Sequence, residues 1–137
     1  MILVDSSVWI GYFNGEKTPQ IDWLHVSLGE EIILIGDIIL TEVLQGFQRD
    51  SDYRKACSLL LDFPIVEMWG KEIALESAAN YRLLRKKGVT VRKTIDIVIG
   101  TFCIHHQISL LHDDRDFKPL EKYLKLKTVN VEGNGSP

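Results

Sequence analysis

Five short runs of Ile, Leu and Val, at residues 2–4, 32–35, 65–66, 110–111 and 128–131, are separated by stretches with the length and periodicity of helices. This alternation restricts the fold more than any other property of the chain. Runs apolar at successive positions suit strands buried on both faces, and strands that alternate with helices suit a parallel sheet covered on each side. Helices are expected over 6–13, 21–28, 37–47, 53–61, 72–87 and 93–106, with a short turn at 119–124. An α/β class follows. With 137 residues, 45% of them apolar, the chain can bury one core, and neither an internal repeat nor a linker divides it. Residues 1–131 are therefore expected to form one domain, and the polar tail 132–137, EGNGSP, to be disordered.

Composition narrows the setting. Only Ile2, Leu3 and Val4 stand between Met1 and Asp5, and no later apolar run approaches the ~18 residues of a membrane span. A soluble, unexported, cytoplasmic protein is expected, with no membrane partner. Cys57 and Cys103 lie far apart and outside any CxxC or Cys/His cluster, so they read as buried thiols in a reducing compartment. The formal charge of −3 says little about an anionic partner, because charge acts locally. Between Ser77 and Ile95 the chain carries Arg82, Arg85, Lys86, Lys87, Arg92 and Lys93 and no acid. Arg85 to Lys87 before Gly88 suit the negative end of a helix, and a phosphate track is the other reading of the same residues.

In such a sheet, ligands bind beyond the carboxyl ends of the strands. Asp5 ends the first run, and LLHDDRDF places Asp113, Asp114 and Asp116 just after the fourth. Asp5 alone would pass for a helix N-cap. Asp96 is harder to dismiss, because RKTIDIVIGTFCIHHQ is apolar almost all the way round. At 100° per residue, Lys93, Asp96, Gly100, Cys103 and Gln107 share the one remaining sector, which suits a cleft wall. A buried carboxylate needs a cation, a protein partner such as an Arg, or a proton. Glu42 lies opposite the stripe Leu40, Val43, Leu44 and Phe47, where a solvated glutamate would also sit, and its helix has Asp37 as its expected N-cap. Carboxylates gathered at one sheet edge repel one another unless hard cations fill the gap. Oxygen-only ligation selects Mg²⁺ or Mn²⁺, ions that activate water and neutralise a phosphodiester without a catalytic His or Ser.

MILVDSSVWI, LTEVLQGF around Glu42, TIDIVIGTFCIHHQISLLHDDRDF from Thr94 and the closing KTVNV resemble the PIN-domain family, specifically the VapC-type ribonuclease toxins of toxin-antitoxin pairs. The resemblance runs in order from Met1 to about Val131. It implies a three-layer α/β/α sandwich around a mainly parallel, about five-stranded sheet, and an Mg²⁺- or Mn²⁺-dependent endoribonuclease. The family's four acids fall on Asp5, Glu42, Asp96 and Asp114, the implied catalytic and metal-binding set, with Asp116 as a further metal-supporting acid and Asp113 expendable. Ser6 or Ser7 takes the place of a small hydroxyl residue near the ion, and Arg92 and Lys93 are expected to contact RNA. Family analogy also implies a homodimer held by a cognate antitoxin. The chain departs from the pattern at Ile97-Val98-Ile99-Gly100, where relatives often carry smaller residues.

Other folds that place an Asp after the first strand fit less well. Haloacid dehalogenase-like phosphatases need a second Asp where Ser7 stands. Receiver domains need one after the third run, and PIVEMW has none. GYFNGEK at residues 11–17 lacks the ending of a P-loop. A catalytically inactive PIN-like interaction module, binding through Trp9, Tyr12 and Phe13, is the non-enzymatic alternative, although an aromatic stripe at that spacing is more often core. His25, His105, His106 and His112 are read as surface, packing or strand-end residues without chemistry.

Overall fold

A computed structural model describes residues 1–131; the expected disordered tail lies outside the described residues. The chain runs β1 (Ile2–Val4), α1 (Ser6–Phe13), α2 (Pro19–Ser27), β2 (Ile33–Gly36), α3 (Asp37–Leu44), α4 (Asp50–Leu60), β3 (Ile65–Val66), α5 (Lys71–Lys86), α6 (Thr94–His106), β4 (Ser109–Leu111), a 3₁₀ turn (Arg115–Phe117) and α7 (Lys118–Leu124). The sheet order is β3-β2-β1-β4 and every pairing is parallel. Leu3 pairs with Leu34 on one side and Leu110 on the other, so β1 is central and its apolar residues are covered on both faces. Helix α1 packs on α2 and α3, and α3 on α4, while α5, α6 and α7 pack together as a second group. The expected α/β/α sandwich is thus observed.

Among the described residues four strands form, where about five were expected. The run 128–131 makes a single parallel bridge, Thr128 to Leu110, with Leu110 N–H donating to Lys127 and Val129 N–H to Leu110. β4 ends at Leu111 and the chain then turns away, which leaves this run a ladder partner only around Leu110. Helix starts also differ from the periodicity. The Thr18 hydroxyl accepts the Ile21 N–H, with Pro19 in the first turn, so α2 begins two residues early. Asp37 does not cap α3, whose N-cap is Gly36. Its carboxylate instead accepts the N–H groups of Ile38 and Met68, tying the end of β2 to the exit of β3. Gly36 is required there, because a Cβ would collide with the Met68 sulfur.

α6 runs through the interior, with Asp96 to Cys103 buried without interruption. β4 and helices α5 and α7 surround it, which is why its sequence lacks a polar face. Ile97, Val98, Ile99 and Phe102 are each worth roughly 1.5–3 kcal/mol on burial, together enough to carry one poorly solvated carboxylate inward. The expected cleft-wall sector is shorter than its periodicity suggested. Leu120 lies where a Gly100 Cβ would be, and Cys103 is buried with its thiol pKa pushed up, so only the first turn of α6 reaches an open site. Cys57 is half-buried rather than buried, and both thiols are free. No helix among the described residues is long and apolar enough to cross a membrane.

Candidate metal-binding site

In the order β3-β2-β1-β4, the helical connections leave the sheet in opposite directions on either side of β1, and the carboxyl ends of β1 and β4 meet beside the switch. Asp5 N–H donates to Leu111 O there. The Asp5 carboxylate caps α1, accepting the Ser7 N–H at 3.1 Å and the Ser7 hydroxyl at 2.6 Å, so the helix-cap role and a position at the site coexist. The Ser7 oxygen in turn accepts the Asp113 N–H at 3.1 Å, pinning the exit of β4 to that of β1. Ser6 donates to Glu42 at 3.2 Å, which draws the half-buried Glu42 of α3 toward the same edge. Both serines thus hold acids in place.

Asp96 is 6% exposed, and its Oδ2 has no hydrogen-bond partner. Ligand oxygens of Asp96, Asp114 and Asp116 lie within 4.8 Å of one another. Asp114 caps the 3₁₀ turn through an Oδ1 that accepts the Asp116 N–H at 2.9 Å, so these two carboxylates are set by one turn. Asp5 and Glu42 stand outside this trio but within electrostatic reach. Burial, then the charges of Asp5 and Asp114, pushes the Asp96 pKa up to about 7, with Lys93 opposing and Asp116 reinforcing the shift. Burial also raises Asp5, against hydrogen bonds from Ser7, and raises Glu42, with the Asp5 charge adding to it.

The alternative reading of Asp96, a salt bridge to a nearby Arg, is not what Arg92 makes. Arg92 Nη2 lies 3.0 Å from both oxygens of Asp116, while its side chain stays 70% exposed. Lys93 is exposed at the start of α6, where its charge lowers Asp96 and Glu42. Farther along the basic stretch, Arg85 and Lys86 occupy the last turn of α5, as a helix-end role requires; Arg85 stacks over Tyr81 at 5.7 Å. Asp113 is exposed and contributes its backbone N–H.

His112 stands at the end of β4, as its strand-end reading expects, and it also contacts the site. It is buried, and its Nδ1 accepts the Asp114 N–H at 3.2 Å. The only signal in the chain was its place two residues before Asp114, which does not separate a supporting ring from a strand end. The aromatic stripe that an interaction module would have used is core, the commoner reading of its spacing. Trp9 is fully buried against Phe13 and Phe63, and Tyr12 and Phe13 pack on the core.

A family model described as PIN domain matches residues 2–123. This chain belongs to the PIN domain family. It is 27% identical over 132 residues to Ribonuclease VapC11 of Mycobacterium tuberculosis, with 95% of this chain and 98% of the relative covered. Among solved structures it is similar to VapBC2 from Rickettsia felis bound to a DNA fragment from their promoter, at TM-score 0.75 and 17% identity over 95% of this chain and 98% of that one. It is also similar to a toxin-antitoxin complex from Klebsiella pneumoniae, at TM-score 0.69 and 18% identity over 96% and 98%. These likenesses agree with the sandwich and its parallel sheet.

Proposed function

We propose that this PIN-domain protein is a divalent-metal-dependent endoribonuclease, the toxin of a toxin-antitoxin pair, folded as one domain over residues 1–131. The observation that carries the reading is the Asp96, Asp114 and Asp116 trio, in which a buried Asp96 oxygen has no partner of its own. Asp96, Asp114 and Asp116 would hold Mg²⁺ or Mn²⁺, with Asp5 and Glu42 adding charge behind them. All five are oxygen donors, as a hard cation requires. When bound, such an ion neutralises phosphodiester charge and lowers the pKa of water for in-line attack.

The chain's own groups prepare this site. Ser7 and Ser6 hold Asp5 and Glu42, and Lys93 favours the ionised forms of Asp96 and Glu42. Arg92 and Lys93 stand at the exposed rim, where a phosphate backbone would meet them. Relatives named as VapC ribonucleases support RNA as the substrate, and similar structures described as VapBC and toxin-antitoxin complexes support a cognate antitoxin. A cytoplasmic homodimer completes the reading by family analogy. Nothing favours an inactive module: the acids are intact and Trp9 is core. Incubation of purified protein with structured and single-stranded RNAs in Mg²⁺, Mn²⁺ or EDTA tests it. Cleavage only with metal, lost in Asp96→Asn, is expected; cleavage that survives EDTA would overturn the mechanism.

A further inference from the structure

His112 follows β4 directly, with its ring tilted against Phe117 at a centroid distance of 4.9 Å. Its two nitrogens face different partners. Nδ1 accepts the Asp114 N–H, and Nε2 lies 3.4 Å from Glu121 Oε2. A backbone amide can only donate, so Nδ1 must carry a lone pair, and the proton of the neutral ring belongs on Nε2. Glu121 gives an independent reason for the same tautomer. Its Oε1 accepts the Thr128 hydroxyl at 2.8 Å, whereas Oε2 is buried without a well-aligned hydrogen bond. Nε2 and, at 3.8 Å, the exposed Lys118 ammonium both lie close to it. A buried carboxylate oxygen is costly to leave without a donor, and a proton on the neighbouring Nε2 reduces that cost.

We propose that His112 and Glu121 form a positioning relay for the Asp114 turn. Glu121, anchored by Thr128, holds the ring as the Nε2–H tautomer, and Nδ1 then fixes the Asp114 amide. Because Asp114 in turn accepts the Asp116 N–H, one ring nitrogen sets two of the three clustered carboxylates. His112 acts through Asp114 and is not itself a ligand. The relay also gives the run beyond α7 a purpose: Thr128, with a single bridge to the sheet, anchors the chain of contacts. This inference rests on the reading of the Asp114 turn as a metal site.

Two substitutions separate the nitrogens. His112→Asn keeps an acceptor near Nδ1, and His112→Gln reaches toward Glu121 but gives that acceptor up. With Mn²⁺ binding followed by the electron paramagnetic resonance of the free ion, His112→Gln is expected to weaken affinity roughly tenfold or more and His112→Asn by no more than about threefold. KM for RNA should stay unchanged in both. Two-bond ¹H–¹⁵N spectra of the metal-free wild type should show Nε2 protonated and Nδ1 bare. A proton on Nδ1, or wild-type Mn²⁺ affinity in His112→Gln, would overturn the relay alone. If His112→Gln does not fold, the wild-type spectrum and His112→Asn decide the matter. A wild type that takes up no Mn²⁺ would instead overturn the proposed function, and the relay's role with it.

Discussion

Two clusters among the described residues bring three metal-type side chains within 4.8 Å, Asp96 with Asp114 and Asp116, and Glu72 with Glu76 and His105. They differ in what already satisfies them. In the second, His105 Nδ1 sits 2.9 Å from Glu76, Nε2 lies 3.9 Å from Glu72, and Glu72 is 75% exposed, so water and the imidazole meet the carboxylates' needs. In the first, Asp96 is buried with an orphaned oxygen and a pKa raised to about 7. Proximity of ligands is therefore a weak sign of a cation site. Burial without a partner is the stronger one, because desolvation leaves a demand that the folded chain does not itself meet.

The sharpest way to break this contrast is to neutralise one acid in each cluster. Asp96→Asn should lower metal-dependent RNA cleavage by on the order of 10²–10³-fold, the scale for removing one preorganised electrostatic group. Glu76→Gln should leave cleavage rates within error. Comparable losses in both would show that burial does not discriminate.

Stability sharpens the contrast next. Asp96 has a folded-state pKa near 7 against an ordinary 3.8, so between those values the folded protein holds the extra proton. In EDTA, the Asp96 contribution to stability should therefore be present below about pH 4 and fall away as pH rises toward 7. Thermal melts of Asp96→Asn, which cannot ionise, should lack that decline. Saturating Mg²⁺ or Mn²⁺ should restore about 2–3 kcal/mol at 100-fold excess over Kd, seen as a Tm increase in the wild type only. Cation affinity should rise with pH through 7, as the ion displaces the Asp96 proton. A pH-independent affinity would place the ion elsewhere.

Within LLHDDRDF the effects should be graded. Asp114→Asn should abolish cleavage, and Asp116→Asn should weaken it by about tenfold. Asp113→Asn should change it little, since its contribution is a backbone N–H to Ser7. Rates from single-turnover assays would check the order, and a damaging Asp113→Asn would overturn it. The smallest effect is expected at the basic end of α5. Alanine at Lys86 or Lys87 should weaken RNA binding modestly and reduce the salt slope by about one for each phosphate no longer neutralised. An unchanged slope would return these lysines to helix capping.

The parts of this molecule that were legible in the chain are those set by neighbours in sequence. Parallel strands appear as runs of Ile, Leu and Val, and a helix walled on all sides appears as RKTIDIVIGTFCIHHQ with one carboxylate out of place. Asp5 and Asp96 could be singled out for this reason. What escaped was long-range. The fifth run reads as a strand from composition, yet its pairing depends on how far β4 extends beside it. The closeness of Asp116 to Asp96 and Asp114 is set by a 3₁₀ turn that folds it back onto Asp114, which its spacing alone does not show.

Local pattern thus determined the α/β class and the helix walled on all sides, and it set Asp96 apart, since periodicity and burial of side chains act over a few residues. Only the tertiary structure decided which acids share one site, that Arg92 pairs with Asp116, and that His112 stands between Glu121 and Asp114. Those contacts join residues brought together by the switch between β1 and β4 and by the turn into α7. Their energies depend on desolvation and on distances of a few ångströms, quantities that spacing along a chain does not encode.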